Sequence, residues 1–289
     1  MEPILRVTGL NKSYRDFSLQ DVTFSLPEGC ITGLIGVNGS GKTTTLRTLL
    51  GLTGRNSGQI QFFGLELDTM AQQIKNRIGV VLDDGGFYDE LSLDEMKNVL
   101  APAYTTWCEQ DFKEYLATFS LNPKQKIATL SKGMRMKYAL ALALSHKAEF
   151  LIMDEPTSGL DPATRSQLLA ILTDYMARGG KGVLLSTHIT SDLDKVADMI
   201  LLLDQGRLLF QEEKDTLLDR YRVVKGDSQR LSDEIRPLFT SLRESPYGFT
   251  GLTDHAAQVK QHLPEAILER PSMEDIMLGN LGRIQRRQS

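Results

Sequence analysis

The stretch Gly36-Val37-Asn38-Gly39-Ser40-Gly41-Lys42-Thr43 follows a strand-like apolar run at residues 31–35 and precedes a helical run at residues 44–50. It fits the pattern GxxxxGK[ST], in which backbone N–H groups of a glycine-rich turn and a helix N-terminus face phosphate groups. Lys42 adds a positive charge, and Thr43 offers a hydroxyl group to Mg²⁺. The stretch therefore predicts a phosphate site built on a strand, a turn and a helix.

A pair of carboxylates follows another apolar run, at residues 150–153. Asp154 and Glu155 would stand at the carboxyl end of that strand, the edge where parallel sheets bind ligands. Asp154 can reach Mg²⁺ through water, while Glu155 can orient and deprotonate an attacking water. His188 ends a later strand-like run and is placed to sense a γ-phosphate, although a buried structural imidazole is the alternative.

The pattern along the chain predicts an α/β fold with an insertion. Strand-like runs open the chain, residues 84–146 have helical periodicity, and strands then alternate with helices up to about residue 211. Beyond that point we predict a helix at 214–221, a strand at 222–225 and a last amphipathic piece at 272–278. The expected architecture is a P-loop core with an N-terminal antiparallel β-subdomain and an inserted helical subdomain, over residues 1–213, followed by a small appendage at 214–289.

Composition narrows the function classes. Lys and Arg total 33 against 37 Asp and Glu, for a formal net charge of −4, which offers no general attraction for nucleic acid. Cys30 and Cys108 have no metal-ligand spacing and favour a reducing cytosol. The longest apolar runs, at 150–153 and 199–203, are far below the roughly 18 residues of a membrane helix, so the chain is not expected to span a bilayer.

The segment Leu130-Ser131-Lys132-Gly133-Met134-Arg135 precedes the strand that carries Asp154. With it, the order of motifs over residues 4 to about 210 resembles the ATP-binding-cassette (ABC) ATPases. The resemblance implies that Ser131 and Gly133 address the γ-phosphate held by an opposite subunit, so that each ATP lies between two chains. It also implies a D-loop role for Asp161, an adenine-stacking role for Tyr14, and the ligands ATP and Mg²⁺.

The complete set of predicted site residues combines these motifs. The catalytic residues are expected to be Glu155, His188 and Lys42, and the metal ligands Thr43, Asp154 and Asp83. The nucleotide is expected to contact Tyr14, Gly36, Asn38, Gly39, Ser40, Gly41, Lys42, Thr43, Thr44, Asp83, Ser131, Gly133 and Asp161.

Two positions depart from the family pattern. Asp83 stands where the family has a glutamine that faces Mg²⁺, and Lys132 and Met134 replace a glycine and a glutamine of the signature segment. Ser131 and Gly133 remain, so we expect activity. The run Gly85-Gly86-Phe87-Tyr88, the Ser-Lys-Gly-Met signature and the ending Arg270-Pro271-Ser272-Met273-Glu274-Asp275 resemble bacterial exporter ATPases of the bacitracin-resistance and acetoin-linked type.

The resemblance implies a Mg²⁺-dependent ATPase subunit of a transporter, cytoplasmic and peripheral at the inner face of the cell membrane. Its expected partners are an integral membrane permease and a second nucleotide-binding subunit, identical or different, with no nucleic acid. The alternative is a non-transport ABC ATPase acting on ribosomes or DNA, which the single cassette without a heptad insertion disfavours. A small-molecule P-loop kinase would leave Ser131, Gly133 and His188 unexplained.

Residues 83–91 are predicted to couple the site to the membrane partner. Gly85 and Gly86 permit hinge-like backbone changes, and Phe87 and Tyr88 would anchor a partner helix if they are exposed. The alternative is that both aromatic side chains only pack the helical insertion onto the core.

Overall fold

The computed structural model describes residues 2–82 and 86–281. The first elements along the chain are β1 (Leu5–Ser13), β2 (Ser18–Leu26), β3 (Cys30–Ile35), α1 (Lys42–Leu49), β4 (Ser57–Phe62), β5 (Leu65–Glu66), α2 (Leu67–Arg77) and β6 (Ile78–Val81). The middle of the chain forms α3 (Leu93–Leu100), α4 (Glu109–Thr118), α5 (Lys132–Ser145), β7 (Phe150–Asp154), α6 (Pro162–Ala177), β8 (Gly182–Thr187), α7 (Thr190–Val196), β9 (Met199–Asp204) and β10 (Arg207–Glu213). The remaining elements are α8 (Lys214–Arg220), β11 (Arg222–Gly226), β12 (Ser241–Ser245), β13 (Gly248–Thr253), α9 (Ala256–His262), β14 (Ile267–Glu269) and α10 (Met273–Asn280).

The central sheet has the strand order β10-β9-β3-β8-β7-β6 and is parallel except at β10. Every residue of β7 and β8 is buried, as expected for parallel strands covered on both faces. Ile35 of β3 pairs with Thr187 of β8, and Asp154 of β7 pairs with Ser186 of β8. The carboxyl ends of these three strands therefore meet at one edge of the sheet.

An antiparallel sheet of order β2-β1-β4-β5 covers one face of the central sheet. Its buried side chains, among them Leu5 and Phe62, share a core with Leu46 of α1 and with Leu34 and Ile152 of the central sheet. This confirms the predicted N-terminal antiparallel subdomain on a P-loop core.

Helices α3, α4 and α5 lie between β6 and β7, within the range predicted for the helical insertion. The first of them begins only at Leu93, because Ser92 caps α3 in a capping box with Glu95. The Tyr138 hydroxyl of α5 donates to the Leu93 carbonyl over 2.8 Å, and Phe112 of α4 packs against the same tyrosine ring. The insertion is thus held together around Tyr138.

The C-terminal region is more elaborate than predicted. Helix α8, strand β11 and helix α10 correspond to the three predicted elements, but an antiparallel sheet of order β12-β13-β11-β14 and helix α9 were not expected. The region has its own apolar cluster around Val224 and Phe249, while α10 packs against α7 and buries Met273 and Ile276 in the main core. No helix within residues 2–82 and 86–281 is long and apolar enough to cross a bilayer.

Candidate functional site

The glycine-rich loop connects β3 to α1 and leaves its backbone open toward solvent. Gly36 has φ 157°, and a Cβ there would lie 2.3 Å from the Leu203 carbonyl oxygen. Gly41 caps α1 with φ 110°, and a Cβ there would lie 2.7 Å from Cζ of Phe17. Only glycine satisfies both positions, since an L side chain would be strained and would also collide with its neighbours. The loop and the helix N-terminus consequently form a cradle for an anion.

Lys42 is buried at the start of α1 and points back across the loop. Its Nζ donates to the Gly36 carbonyl over 2.8 Å and to the Val37 carbonyl over 3.4 Å. The same Nζ lies 3.4 Å from Oε1 of Glu155. The ammonium group therefore sits between the phosphate cradle and a carboxylate.

Asp154 ends β7 and lies beside two hydroxyl groups. The Thr43 hydroxyl donates to Oδ1 of Asp154 over 3.3 Å, and the Ser186 hydroxyl donates to the same oxygen over 2.5 Å. Carboxylate and hydroxyl oxygens are the ligands that Mg²⁺ prefers, and Mg²⁺ usually takes few protein ligands beside substrate phosphates and water. No group of three or more His, Cys, Asp or Glu side chains in the described part of the chain is arranged to hold a metal ion. The adjacent hydroxyl of Thr43 and carboxylate of Asp154 are the oxygen ligands that would suit a magnesium ion shared with substrate phosphates.

Glu155 adopts a backbone conformation that few non-glycine residues adopt, with φ 47°. Its N–H donates to the Ser186 carbonyl over 3.1 Å and to the Ser186 hydroxyl over 3.0 Å, which fixes this conformation. Strained residues of this kind cluster at functional sites, where the surrounding structure holds them. Here the turn directs the Glu155 carboxylate toward Lys42.

His188 directly follows β8 and contacts Glu155. Its Nδ1 lies 2.8 Å from Oε2 of Glu155, and its backbone N–H donates to the same oxygen over 3.4 Å. The Glu155 carboxylate thus lies between Lys42 and His188, one oxygen facing each. This arrangement can hold a water molecule and accept its proton next to a bound phosphate.

Lys42, Thr43, Glu155 and His188 line an open cleft of about 830 Å³, which is ample for a nucleotide, and buried Asp154 reaches it through Thr43. Gly36 and Ser40 are not among the lining side chains: the Gly36 carbonyl faces Lys42, and Ser40 is buried in the loop. Half-exposed Tyr14 stands at the mouth of the cleft, where an adenine ring could stack on it. The lining residues are Tyr14, Asp16, Phe17, Asn38, Gly39, Gly41, Lys42, Thr43, Thr44, Glu155, Ser158 and His188.

Some of the lining and supporting residues were not predicted. Asp16, Phe17 and Ser158 line the cleft, and Ser186 binds both Asp154 and Glu155. Asp83, predicted to bind metal and nucleotide, lies outside the described residues.

The predicted signature residues lie away from this cleft. Ser131 caps α5 and accepts from the Met134 N–H over 3.3 Å, while a Cβ on Gly133 would lie 3.1 Å from Cγ2 of Thr164. Asp161 caps α6 by accepting from the Thr164 N–H over 3.0 Å, and the hydrogen bonds from Thr164 hold the pKa of the Asp161 carboxyl below its usual range. The first turns of α5 and α6 therefore pack together, and their contact with a nucleotide remains a prediction.

Comparison with known proteins gives a consistent set of similarities. A family model described as ABC transporter matches residues 19–158. The chain is 30% identical to a Nod factor export ATP-binding protein I of Rhizobium johnstonii, over 96% of this chain and 94% of the relative. It is 32% identical to the bacitracin transport ATP-binding protein of Bacillus licheniformis, over 77% of this chain and 74% of that protein.

Solved structures show the same likeness. An ATP-binding subunit of an ABC transporter superposes with a TM-score of 0.68 and 30% identity, over 75% of this chain and 92% of that one. A dimeric ATP-binding cassette bound to ADP and Pi superposes with a TM-score of 0.65 at 22% identity, over 72% of this chain and 98% of that one, which shows the shared fold.

Proposed function

Since the chain belongs to the family of ABC transporter ATP-binding proteins, we propose that it hydrolyses Mg²⁺-ATP and thereby drives export through a separate membrane permease. The observation that carries the proposal is the contact of Glu155 with both Lys42 and His188 beside the phosphate cradle. A site that only bound nucleotide would have no need of a carboxylate held in a strained turn between these two groups.

The proposed chemistry divides among the residues of the cleft. Backbone N–H groups of the loop and Nζ of Lys42 bind the β- and γ-phosphates. Thr43 and Asp154 hold Mg²⁺, which supplies charge neutralisation at the phosphate oxygens when bound. Glu155 accepts a proton from the attacking water, and His188 keeps the Glu155 carboxylate oriented. Tyr14 stacks on the adenine ring.

The assembly is proposed from the position of the signature residues and from the relatives. Ser131 and Gly133 do not line the cleft of their own chain, so we propose that they close the cleft of a second subunit, identical or different. One structural relative is a dimeric cassette. The relative named for bacitracin transport supports a role in transport, and the one named for Nod factor export supports export as its direction. We propose that the chain works at the inner face of the cell membrane.

Steady-state hydrolysis with and without Mg²⁺ tests the enzymatic part of the proposal. Glu155→Gln is expected to lower turnover by about 10²- to 10⁴-fold, because the general base is lost while the shape is kept. Lys42→Ala is expected to abolish turnover by weakening phosphate binding. Glu114→Gln, the same change on the exposed face of α4, is the matched control. Turnover of Glu155→Gln equal to that of the control would remove Glu155 from the proposed role.

The slow Glu155→Gln variant also tests assembly. With ATP it is expected to change from monomer to dimer in light-scattering measurements, since the bound nucleotide is not consumed. ADP should leave the variant monomeric. The two-subunit arrangement would be contradicted if Glu155→Gln binds ATP but stays monomeric. The measurement is made on the variant alone and on its mixtures with the nucleotide-binding subunits encoded by neighbouring genes.

A further inference from the structure

We propose that Arg165 and Asp192 are positioning residues for His188, linking the first turn of α6 to the switch histidine. The inference rests on the proposed function, because it concerns the rate of the proposed hydrolysis. Neither residue lines the nucleotide cleft, so both would act through the elements that carry them.

Asp192 is the unusual group of this pair. It is fully buried, with 0% of its surface exposed. Among residues 2–82 and 86–281, no hydrogen-bond donor reaches either carboxylate oxygen. The nearest cation is Nε of Arg165, 3.9 Å from Oδ2, and this Nε is itself buried without an acceptor in the same part of the chain. A buried carboxylate and a buried donor that face each other without a hydrogen bond weaken the folded state, so stability does not explain their presence.

Arg165 and Asp192 lie at the N-terminal ends of α6 and α7, close to the signature segment and to His188 respectively. Arg165 lies in the first turn of α6, where its N–H donates to the Asp161 carbonyl over 2.9 Å. The neighbouring Thr164 packs close to Gly133 of the signature segment, since a Cβ there would lie 3.1 Å from Cγ2 of Thr164. Asp192 lies in the first turn of α7, where its N–H donates to the Ile189 carbonyl over 3.2 Å. Ile189 is the residue that directly follows His188. The Arg165–Asp192 contact therefore joins the helix packed beside the signature segment to the helix that begins just after His188.

The Arg165–Asp192 distance of 3.9 Å indicates how a small movement of α6 could reach His188. A charge-assisted N–H···O bond is about 2.7–2.9 Å long, so a shift of roughly 1 Å between α6 and α7 would convert the loose ion pair into a hydrogen bond. Such a shift moves the start of α7 and, with it, the imidazole that holds the Glu155 carboxylate. Engagement of Ser131 and Gly133 by a second subunit would supply the shift at α6.

Asp192→Asn separates this role from a structural one. We expect kcat to fall by about 10- to 100-fold, the usual effect of losing a residue that orients a reacting group. The KM for ATP should stay within about twofold, because the cleft is untouched. The melting temperature should be unchanged or higher, since the substitution removes a buried charge that has no hydrogen-bond donor, whereas Arg165 is partly exposed and can still reach water. A purely structural ion pair predicts the opposite: a lower melting temperature and an unchanged kcat of the folded fraction.

Arg165→Gln and the double variant complete the test. If the two residues act as one unit, the double variant should lose no more kcat than either single variant. Asp174→Asn is the matched control, because it removes an exposed ion pair to Arg178 on the same helix, with the partners 2.9 Å apart. It should change neither kcat nor KM.

Each outcome decides a different claim. A wild-type chain that lacks ATPase activity would overturn both the proposed function and this inference. An active wild-type chain with an Asp192→Asn kcat equal to that of Asp174→Asn would overturn the inference alone. The inference is likewise wrong if the kcat of Asp192→Asn falls only in proportion to the fraction of protein that is unfolded. It is also wrong if the fold-losses in kcat of Asp192→Asn and Arg165→Gln multiply in the double variant, as they would for two independent residues.

Discussion

One serine, Ser186, contacts both carboxylate residues of the cleft. The Ser186 hydroxyl donates to Asp154 and accepts from the Glu155 N–H. It can do so because the register of the parallel strands pairs Asp154 with Ser186. A serine inside a buried strand has no local sequence feature that marks it as functional, whereas the glycine loop and the Asp154-Glu155 pair are contiguous in the sequence. The sequence therefore predicts the contiguous motifs but not the residue that adjoins them only through strand pairing.

Ser186→Ala is expected to lower kcat for ATP by about 10- to 100-fold, as is typical when a group that orients metal and catalytic ligands is lost. The substitution removes the hydroxyl that donates a hydrogen bond to Asp154. The same hydroxyl is one of the two acceptors of the Glu155 N–H, so the strained turn is held less firmly. Steady-state kinetics at saturating Mg²⁺ provide the measurement. Ser145→Ala is the control, since Ser145 is equally buried and its hydroxyl donates only within α5, to the Ala141 carbonyl. Equal kinetics of the two variants would contradict the role given to Ser186.

Among the elements, the end of α5 carries a histidine whose ionisation opposes folding. His146 is buried, its ring stacks on Tyr104 with centroids 3.9 Å apart, and burial lowers the pKa of His146 to about 4. The unfolded chain would bind this proton near the usual pKa of about 6.5. Between these two values only the unfolded state is protonated, so the stability contribution is complete above pH 6.5 and is lost as the pH falls toward 4.

Acidification from pH 7 to pH 5 should therefore lower the free energy of unfolding by about 2 kcal/mol through this group alone. His146→Phe keeps an aromatic ring against Tyr104 but cannot bind the proton, so it should lose less stability over the same interval. Denaturant titrations of both proteins at the two pH values measure the difference. The Glu149 carboxyl, whose pKa is lowered to about 2 by hydrogen bonds from Arg77, is present in both proteins, so its small contribution near pH 5 cancels from the difference between them. Parallel pH curves for the two proteins would contradict the prediction.

Element prediction succeeded where residues repeat a pattern over several turns or a full strand. The strand before the glycine loop, the helices of the insertion and the buried strand before Asp154 have long apolar runs or clear periodicity. Strand β14 has only three residues, and β12 is half-exposed, so neither has a pattern of its own. Both form because β13 and β11 supply partners, and that pairing is set by tertiary structure.

At the scale of the whole molecule, the proposed function requires a connection between the nucleotide cleft and a membrane partner. Phe87 and Tyr88, the two aromatic residues predicted for this contact, have different environments in the structure. Phe87 packs edge-on against Tyr138, with ring centroids 5.2 Å apart, whereas Tyr88 has 63% of its surface exposed. The packing alternative thus describes Phe87, and Tyr88 is the residue left for a partner.

Tyr88→Ala is expected to reduce co-purification with the permease at unchanged melting temperature, since it removes only an exposed ring that a partner would bury. Phe87→Ala should instead lower stability by about 3 kcal/mol or less, because the ring is partly buried against the core. Pull-down from detergent-solubilised membranes and thermal denaturation of both variants measure the two effects. Unchanged permease association of Tyr88→Ala would contradict the proposed contact.

The strand order has a consequence for how the chain is made. Strand β3 leads into the phosphate loop, yet its partner β8 lies about 150 positions later, with Ile31 paired to Val183. At synthesis rates of about 5–20 residues per second, β3 waits on the order of 10–30 s before that partner emerges from the ribosome. During this interval the backbone N–H and C=O groups along the edge of β3 that faces β8 lack this partner, and pairings between strands so distant in sequence form slowly. The same crossover that brings the predicted catalytic residues to one edge of the sheet therefore leaves β3 without this partner until β8 has been synthesised.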